Sequence, residues 1–292
     1  MTAKLIDGKA LAAETREQVA RRAATLRERG RSPILAAVRV GDDSAAASYA
    51  RSQAKHADAV GIDYRLVELP EGTTPSEAAR AVEELNADSA VSGIMLHLPV
   101  PKPLDGFALQ QLIAPGKDVE GVGAANLGML AMGREALVPC TAAAAFACLK
   151  STGIDLTGRE AVVIGRSTIV GKPLAMLLLA AHATVTQCHT RTRDLPQHTC
   201  RAEVLIVSAG AAGLIGAEHV SPGAVVIDVG TNRVPASDAP DETKMKTIGD
   251  VRFDEVFPIA EAITPVPGGV GPVTVAMLLS NTVDACERVS RD

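Results

Sequence analysis

The chain has 292 residues, a length that fits one large domain or two of ordinary size, and 47% of them are hydrophobic, enough for a sizeable core. Only 2% are aromatic and none is Trp, which argues against a surface that stacks nucleic-acid bases. The net charge of −5 argues in the same direction, because nucleic-acid surfaces are bound through an excess of Lys and Arg.

The cysteines and the N-terminal residues indicate where the protein works. The five cysteines are odd in number and lack CxxC spacing, so we expect free thiols in a cytoplasmic protein, with neither disulfides nor a metal site. The N-terminus lacks the apolar segment of a secretory signal. No run reaches the roughly 18 apolar residues of a membrane span, so no membrane association is expected.

The first part of the chain alternates between helix and strand patterns. Ser76 is the predicted cap of the third helix, and residues 122–139 are glycine-rich and show little regular pattern. The alternation predicts an α/β fold, with parallel strands and helices on their faces. The predicted helices cover residues 8–30, 45–60, 76–85 and 105–114, and the predicted strands cover residues 33–40, 63–69 and 91–98.

The segment from residue 158 to residue 173 combines a short buried-type strand, a glycine turn and an apolar helix. The strand covers Ala161–Ile164, and the turn runs from Gly165 to Gly171. The N–H groups and the dipole at such a helix start can bind a phosphate. Ser167 occupies the second glycine position of the usual GxGxxG pattern, so an ordinary strand-to-helix turn is the alternative interpretation.

The rest of the chain adds further strands and one unusual loop. An Ala-rich helix over residues 141–153 is predicted to link two lobes, and residues 235–247 to form an exposed loop. Ile263–Pro272 holds three prolines and three glycines, which predicts a shaped loop before a final helix over residues 273–289. The further strands are predicted at residues 184–189, 203–209 and 224–229.

Short segments spread over essentially the whole chain carry a resemblance to one known protein family. They are Ile6–Lys9, Val40-Gly41 with Tyr49, Gly93-Ile94, Leu98–Pro101, Lys117–Val119, Pro139–Thr141, Val163–Ser167, Ile227–Gly230, Gly249–Val251 and Ile263–Pro272. Together they resemble the bifunctional methylenetetrahydrofolate dehydrogenase/methenyltetrahydrofolate cyclohydrolase (FolD) family. The loop ITPVPGGVGPVT is very specific to that family, and GRSTIVGKP resembles its nucleotide loop.

The resemblance implies a two-lobed α/β protein. Residues 1–140 plus 270–292 would form the folate-binding, catalytic lobe, closed by the C-terminal helix, and residues 141–269 a Rossmann-like NADP domain. A cleft between them would hold the reacting carbon. In this family NADP takes a hydride from 5,10-methylene-tetrahydrofolate, and water then hydrolyses the methenyl cation to 10-formyl-tetrahydrofolate. The family resemblance also implies a cytoplasmic homodimer in one-carbon metabolism and purine biosynthesis.

The cofactor prediction is NADP in preference to NAD. The turn after the second strand of the nucleotide domain meets the adenosine ribose, and a carboxylate there favours NAD. Here no carboxylate occurs before Asp194, whereas basic and hydroxyl groups are plentiful. The alternative is that these are solvated loop charges, and that Ser167 only caps a helix. The predicted cofactor-binding residues are Gly165, Arg166, Ser167, Gly171, Thr190, Arg191 and Thr231.

The folate lobe departs from the family pattern at three predicted catalytic positions. The family lysine four residues after Tyr49 is Gln53, which would share one helix face with that tyrosine. His97 stands where the family has Gln, and Glu120 where it has Asp. The resemblance makes Tyr49 a substrate-lining residue; the alternative is a half-buried core tyrosine.

Chemistry separates the two family activities. Hydride transfer requires mainly that two carbons are held face to face, whereas hydrolysis requires proton movement that a Gln amide cannot supply. We therefore expect dehydrogenase activity with weak or absent cyclohydrolase activity. Three alternatives stay open. A fully bifunctional enzyme would use His97 as acid/base, with Gln53 orienting its ring. The chain could instead be an inactive folate- or nucleotide-binding protein, or another two-lobed dehydrogenase that shares only the nucleotide domain.

The remaining predicted contacts are with the substrate. Asp118 could contact the pterin or cap the turn at Gly116, and Asp228 could simply end a strand. The glycines of the shaped loop permit close approach of backbone to ligand. The predicted substrate-binding residues are Tyr49, Asp118, Glu120, Pro265, Gly268 and Gly269.

Overall fold

The computed structural model describes residues 3–42, 44–236 and 245–288. The chain divides into two compact units, of which one comprises Met1–Ala12 and Thr141–Thr274 and the other Ala13–Cys140 and Val275–Asp292. We call them the nucleotide unit and the folate unit, after the ligands predicted for them. The predicted boundaries differ from this division at two places, because the first twelve residues and residues 270–274 group with the nucleotide unit.

Helices and strands alternate up to residue 96 and again from residue 160 to residue 207, whereas the helices between these two stretches follow one another directly. The helices are α1 Gly8–Glu28, α2 Ser44–Asp58, α3 Pro75–Ala87, α4 Gly106–Gln111, α5 Ala124–Ala131, α6 Cys140–Lys150, α7 Gly171–Ala180, α8 Leu195–Thr199, α9 Phe253–Val256 and α10 Val270–Arg288. The strands are β1 Lys4–Leu5, β2 Ile34–Val40, β3 Asp63–Leu69, β4 Gly93–Leu96, β5 Glu160–Ile164, β6 Thr184–Cys188, β7 Val204–Val207, β8 Val225–Asp228, β9 Asn232–Pro235, β10 Met245–Ile248 and β11 Ala262–Ile263.

The nucleotide unit is built on a six-stranded sheet with the order β1-β11-β8-β7-β5-β6, in which every pair is parallel. The strands β7 and β8 are buried throughout, as expected for strands that are covered on both faces. The chain passes from β5 to β6 on one side and then to β7 on the other, so the strand order reverses at β5. Ligands of open parallel sheets bind at the carboxyl ends of the strands beside such a reversal.

The folate unit is built on a three-stranded parallel sheet with the order β3-β2-β4. The central strand β2 is almost wholly buried. Helices α1 and α10 share a core with this sheet, since Val19 and Leu26 cluster with Leu279 and Val283. Arg22 of α1 also pairs with Asp284 and Glu287 of α10. The C-terminal helix, from Val275 onward, therefore completes this unit. The buried side chains of this core are mainly aliphatic and include Val19, Ala23, Leu26, Leu35, Ile62, Leu279 and Val283.

Three local predictions are wrong for identifiable reasons. Thr74, and not Ser76, caps α3, because its hydroxyl accepts the backbone N–H of Glu77 while the Glu77 carboxylate accepts that of Thr74. Residues 122–139 contain α5, whose Leu130 side chain is buried. The final helix begins at Val270 inside the predicted loop, since proline is tolerated in the first turn of a helix.

The predicted exposed loop over residues 235–247 is only partly described. Strands β9 and β10 pair antiparallel at its two ends, and residues 237–244 lie outside the described residues. Within the described part of the chain, no helix is both long enough and apolar enough to cross a membrane.

Candidate active site

The glycine turn after β5 is held by close backbone contacts. Gly165 has φ +111°, and a Cβ there would lie 2.2 Å from the carbonyl oxygen of Ser208, which follows β7. A Cβ on Gly171 would lie 2.3 Å from the carbonyl oxygen of Gly165. Only glycine permits this backbone at both positions. The ends of β5 and β7 and the start of α7 thus meet around the glycine turn that is predicted to bind the dinucleotide phosphate.

Ser167 lies inside this turn and acts as a cap. Its hydroxyl accepts the backbone N–H groups of Val170 and Gly171 at 3.1 and 3.3 Å. The hydroxyl proton stays available, and both Ser167 and Arg166 are exposed. The two interpretations of Ser167 are therefore compatible, because a capping hydroxyl can still donate one hydrogen bond.

The turn after β6 lies beside the glycine turn. Gly165 donates its N–H to the carbonyl of Cys188 at 2.9 Å, and the Gln187 side chain donates to the carbonyl of Gly165 at 3.0 Å. His189 shapes the turn, since its Nδ1 accepts the N–H of Arg191 at 3.0 Å. The exposed residues Thr190 and Arg191 belong to that turn. The predicted phosphate-binding residues of the two turns therefore come from neighbouring strands of one sheet.

Two buried carboxylates organise the carboxyl ends of β7 and β8. Asp228 accepts the N–H groups of Gly230, Asp250 and Val251, and Asp250 accepts those of residues 209–211. Burial raises the pKa of Asp228 to about 6. Asp228 therefore joins the loop after β8 to the segment after β10. This role goes beyond simply ending a strand, which was the role considered from the sequence. Asp250 was not predicted, although it lies in one of the segments that carried the resemblance.

The shaped loop after β11 lines a pocket of about 200 Å³ in the nucleotide unit. Gly268 has φ +109°, and a Cβ on Gly8 would lie 1.8 Å from the carbonyl oxygen of Gly269, so α1 starts in direct contact with this loop. Lys9 and the exposed Thr231 also line the pocket. Of the predicted substrate-binding residues, the pocket is lined by Pro265, Gly268 and Gly269.

The predicted catalytic residues of the folate unit do come together. Tyr49 is 52% exposed, which makes the core interpretation of this residue wrong. Its ring stands edge-on to the ring of His97, with 5.9 Å between the centroids and an interplanar angle of 89°. Gln53, one turn along α2, is buried. Burial and the charge of Arg39 lower the pKa of His97.

A residue that sequence reasoning missed joins these groups. The Tyr64 hydroxyl lies 3.3 Å from Oε1 of Gln53 and 3.3 Å from Nε2 of His97. Gln53 was considered as the residue that orients the His97 ring, but the contact that they share runs through Tyr64. One signal was present in the sequence, because Tyr64 and Tyr49 are its two tyrosines.

Lys117 and Asp118 have structural contacts. The Lys117 ammonium donates to three carbonyls at the end of α3. Asp118 is 1% exposed, and its Oδ2 accepts the N–H of Gly123 at 2.8 Å and the side-chain amide of Asn126 at 3.0 Å. Asp118 thus holds the segment that leads into α5 instead of capping the turn at Gly116. A contact between Asp118 and the pterin stays a prediction.

Glu120 differs from Asp118 in having an unsatisfied oxygen. Its Oε2 is buried and has no hydrogen-bond partner among the described residues, and the same is true of Nε2 of Gln53. Burial raises the pKa of Glu120 to about 7. Buried polar atoms are rarely left unpaired, so an orphaned acceptor and an orphaned donor in one site indicate where a polar ligand binds.

Two family models together match most of the chain. Residues 6–120 match the tetrahydrofolate dehydrogenase/cyclohydrolase catalytic domain, and residues 139–290 match the NAD(P)-binding domain of the same family. The chain belongs to this family. It is 49% identical over 294 residues to the bifunctional protein FolD of Phenylobacterium zucineum, with 99% of each chain covered.

Solved structures agree with this assignment. The bifunctional FolD enzyme from Campylobacter jejuni has a TM-score of 0.92 at 40% identity, and the match covers 98% of this chain and 99% of that one. The FolD enzyme of Trypanosoma brucei, solved with NADP and an inhibitor, has a TM-score of 0.91 at 37% identity, and the match covers 100% of both chains.

The comparisons confirm several predictions for this member of the tetrahydrofolate dehydrogenase/cyclohydrolase family. The family itself, the α/β fold with a Rossmann-like domain, the dehydrogenase activity and the nicotinamide dinucleotide cofactor are confirmed. The alternative of an unrelated dehydrogenase that shares only the nucleotide domain is wrong, because residues 6–120 match the catalytic domain. The roles of individual site residues stay predictions.

Proposed function

We propose that this chain is an NADP-dependent methylenetetrahydrofolate dehydrogenase in which hydrolysis of methenyl-tetrahydrofolate is weak or lost. The observation that carries the proposal is Gln53. It occupies the position of the family lysine, it is buried, and its amide nitrogen has no partner among the described residues. An amide at this point can bind and orient a ligand, but it cannot take up or release a proton at neutral pH.

The dehydrogenase reaction places modest demands on these residues. Bound NADP would supply the hydride acceptor for the one-carbon bridge of the folate. The exposed ring of Tyr49 offers a flat apolar surface for the substrate. Gln53 Nε2 and Glu120 Oε2 supply a donor and an acceptor for the polar edge of the pterin. These groups position the reacting carbon without any proton transfer, so the reaction tolerates Gln at position 53.

Hydrolysis of the methenyl cation has a different requirement. A proton must leave the attacking water, and another must reach the departing nitrogen. His97 is the residue of the rival proposal, in which the enzyme stays bifunctional. His97 is 6% exposed, and its Nε2 already contacts Tyr64. Both observations favour a positioning role for His97. They argue against a role as the group that donates and accepts the proton.

The decisive experiment measures the hydrolysis of purified methenyl-tetrahydrofolate and, in parallel, the oxidation of methylene-tetrahydrofolate with NADP. We expect robust oxidation and hydrolysis no faster than the uncatalysed background. The variant Gln53→Lys restores a titratable group. We expect it to raise hydrolysis by about a hundredfold, the lower end of the roughly 10²–10⁴-fold that general acid–base catalysis contributes.

Three results would decide against parts of the proposal. Robust hydrolysis by the wild type contradicts the loss of cyclohydrolase activity. If His97→Ala then abolishes hydrolysis while oxidation persists, the rival proposal replaces ours. If the wild type shows neither oxidation nor hydrolysis, the chain is a folate- or nucleotide-binding protein without activity.

The preference for NADP over NAD rests on the two turns beside β5. Arg166, Thr190 and Arg191 are exposed there, and no carboxylate occurs between Cys188 and Asp194. We expect a KM for NADP well below that for NAD. Arg191→Ala should raise the KM for NADP about tenfold, because a hydrogen bond to a charged group contributes roughly 1.5–3 kcal/mol, and should change the KM for NAD little. Equal KM values in the wild type would contradict the preference.

A cytoplasmic location and a homodimer complete the proposal. The location is supported by the cysteines, all five of which are free thiols. The dimer follows from the family resemblance alone. Light scattering on the purified protein tests it directly, and a mass near 30.1 kDa, that of one chain, would contradict it.

A further inference from the structure

Three side chains of the folate unit form a continuous polar contact from β3 to α2 and to the end of β4. The Tyr64 hydroxyl lies 3.3 Å from Oε1 of Gln53 on one side and 3.3 Å from Nε2 of His97 on the other. A hydroxyl has one proton and can accept a hydrogen bond on its oxygen. The Tyr64 hydroxyl can therefore donate to one neighbour and accept from the other. The protonation states and donor capacities of Gln53 and His97 decide which of them receives the Tyr64 proton.

Protonation states limit the answer. Burial raises the pKa of Tyr64 to about 12, so its phenol keeps its proton. Burial and Arg39 lower the pKa of His97, which keeps the ring neutral with a single N–H. The groups that face His97 are Tyr49 from α2, Tyr64 from β3 and Arg39 from β2, and Arg39 is itself paired with Glu68.

The partners of Gln53 select the direction. An amide oxygen can only accept, so Oε1 of Gln53 requires the Tyr64 proton. The Tyr64 oxygen is then free to accept from the Nε2–H of His97. In the opposite direction Tyr64 would donate to His97, and the Gln53 amide would have to turn its nitrogen inward. The site would then lose its buried donor at the position of the family lysine, and both Gln53 and Glu120 would present orphaned acceptors to the ligand.

We propose that Tyr64 is a positioning residue that sets a one-way hydrogen-bond chain, from His97 Nε2–H to the Tyr64 hydroxyl and from that hydroxyl to Gln53 Oε1. This hydrogen-bond chain holds His97 as its Nε2–H tautomer, with the lone pair on Nδ1. It also turns the amide nitrogen of Gln53 away from Tyr64 and presents it as a donor to the folate. The inference rests on the proposed function for the identity of the ligand, but the hydrogen-bond chain itself does not depend on activity.

The test is ¹⁵N NMR of the histidine side chains in the full-length protein at about pH 7.5, where ring nitrogens with and without a proton have distinct shifts. The chain has six histidines, and the His97 signal is identified by its loss in His97→Asn. His189 serves as an internal standard, because its Nδ1 accepts the N–H of Arg191 at 3.0 Å. His189 should therefore show the Nε2–H tautomer in every variant.

Two variants probe the direction of the hydrogen-bond chain. In the wild type we expect the Nε2–H tautomer of His97. Gln53→Met removes the acceptor, which frees the Tyr64 proton for Nε2 and should convert His97 to the Nδ1–H tautomer. Tyr64→Phe removes the hydroxyl altogether and should leave a mixture of both tautomers. Because Tyr64→Phe is the milder change, it keeps the proposal testable if Gln53→Met fails to fold.

A kinetic measurement links the chain to the substrate. With the Gln53 amide no longer held, Tyr64→Phe should raise the KM for methylene-tetrahydrofolate about three- to tenfold, with the KM for NADP unchanged. A wild-type His97 that is Nδ1–H or doubly protonated overturns the proposal. So does a His97 tautomer that neither variant alters. Each of these results is independent of the hydrolysis assay, so a bifunctional enzyme with the expected tautomers would overturn only the proposed loss of hydrolysis.

Discussion

The cofactor side and the folate side of this protein are built in different ways. On the cofactor side, backbone atoms approach so closely at Gly165 and Gly171 that a single Cβ would collide, and the carboxylates Asp228 and Asp250 are satisfied by backbone N–H groups. On the folate side, the site consists of side chains, two of which leave a buried polar atom without a partner among the described residues.

This difference teaches which changes each region tolerates. A site made of backbone contacts has little room for substitution, because a Cβ at Gly165 or Gly171 would collide with backbone. A site made of side chains on α2, on β3 and at the end of β4 can exchange one polar side chain for another without disturbing the backbone that carries them. The chemistry of the folate side can therefore change while the cofactor side stays as it is.

The largest effect is expected where backbone meets backbone. Gly171→Ala places a Cβ 2.3 Å from the carbonyl oxygen of Gly165. Because overpacking costs roughly 1–3 kcal/mol and this neighbour is backbone that cannot rotate away, we expect a loss of about 3 kcal/mol in the free energy of unfolding. NADP affinity should fall at least tenfold. Urea unfolding and titration with NADPH measure the two effects.

Gly128→Ala is the matched control, because Gly128 also lies in a helix but a Cβ there would meet nothing within 4 Å. It should be neutral or should stabilise the protein by up to about 1 kcal/mol. Equal behaviour of the two variants would mean that the close approach of α7 to the turn is not the source of the constraint.

The next effect tests the unsatisfied carboxyl of the folate side. Burial raises the pKa of Glu120 to about 7 from an ordinary value of 4.5. The folded protein therefore keeps a proton that the unfolded chain loses, so stability falls as pH rises from about 4.5 to about 7. Glu120→Gln lacks this proton. Its free energy of unfolding, relative to the wild type, should rise by about 2 kcal/mol between pH 5 and pH 8, since one pKa unit corresponds to roughly 1.4 kcal/mol.

The comparison between the two proteins removes the contribution of Asp228, whose raised pKa acts in the same direction in both. Glu17→Gln controls for the loss of one charge, because the Glu17 side chain is 69% exposed. A difference between Glu120→Gln and the wild type that stays constant with pH would show that Glu120 is ionised in the folded protein.

The smallest effect concerns the cap within the glycine turn. Ser167→Ala removes the acceptor of the Val170 and Gly171 N–H groups, and loss of such a cap costs roughly 1 kcal/mol. Ser167→Thr keeps the hydroxyl and should restore most of that stability. If NADP affinity falls more than tenfold in Ser167→Ala, Ser167 contributes more to phosphate binding than to the turn.

Most of the cofactor side could be predicted from the sequence. The glycines of the turn, the strand before it and the helix after it are consecutive in the chain, so their pattern describes one local structure. The shared face of Tyr49 and Gln53 is local in the same sense, because the two residues are one helical turn apart. A local pattern can also give a wrong prediction. Ser76 was predicted to cap α3, but Thr74 is the cap because it exchanges hydrogen bonds with Glu77.

The sequence by itself determined the family, the α/β fold and the glycine turn, and it predicts that Gln53 stands at the position of the family lysine. Only the tertiary structure decided that Tyr64 stands between Gln53 and His97 and that Glu120 is left unsatisfied beside Asp118. The physical reason is that these contacts depend on sheet order. Strands β3 and β4 both pair with β2, and the bridge between Ile94 and Asp118 brings the segment of Glu120 beside β4. No periodicity within the chain encodes a contact that is made between strands.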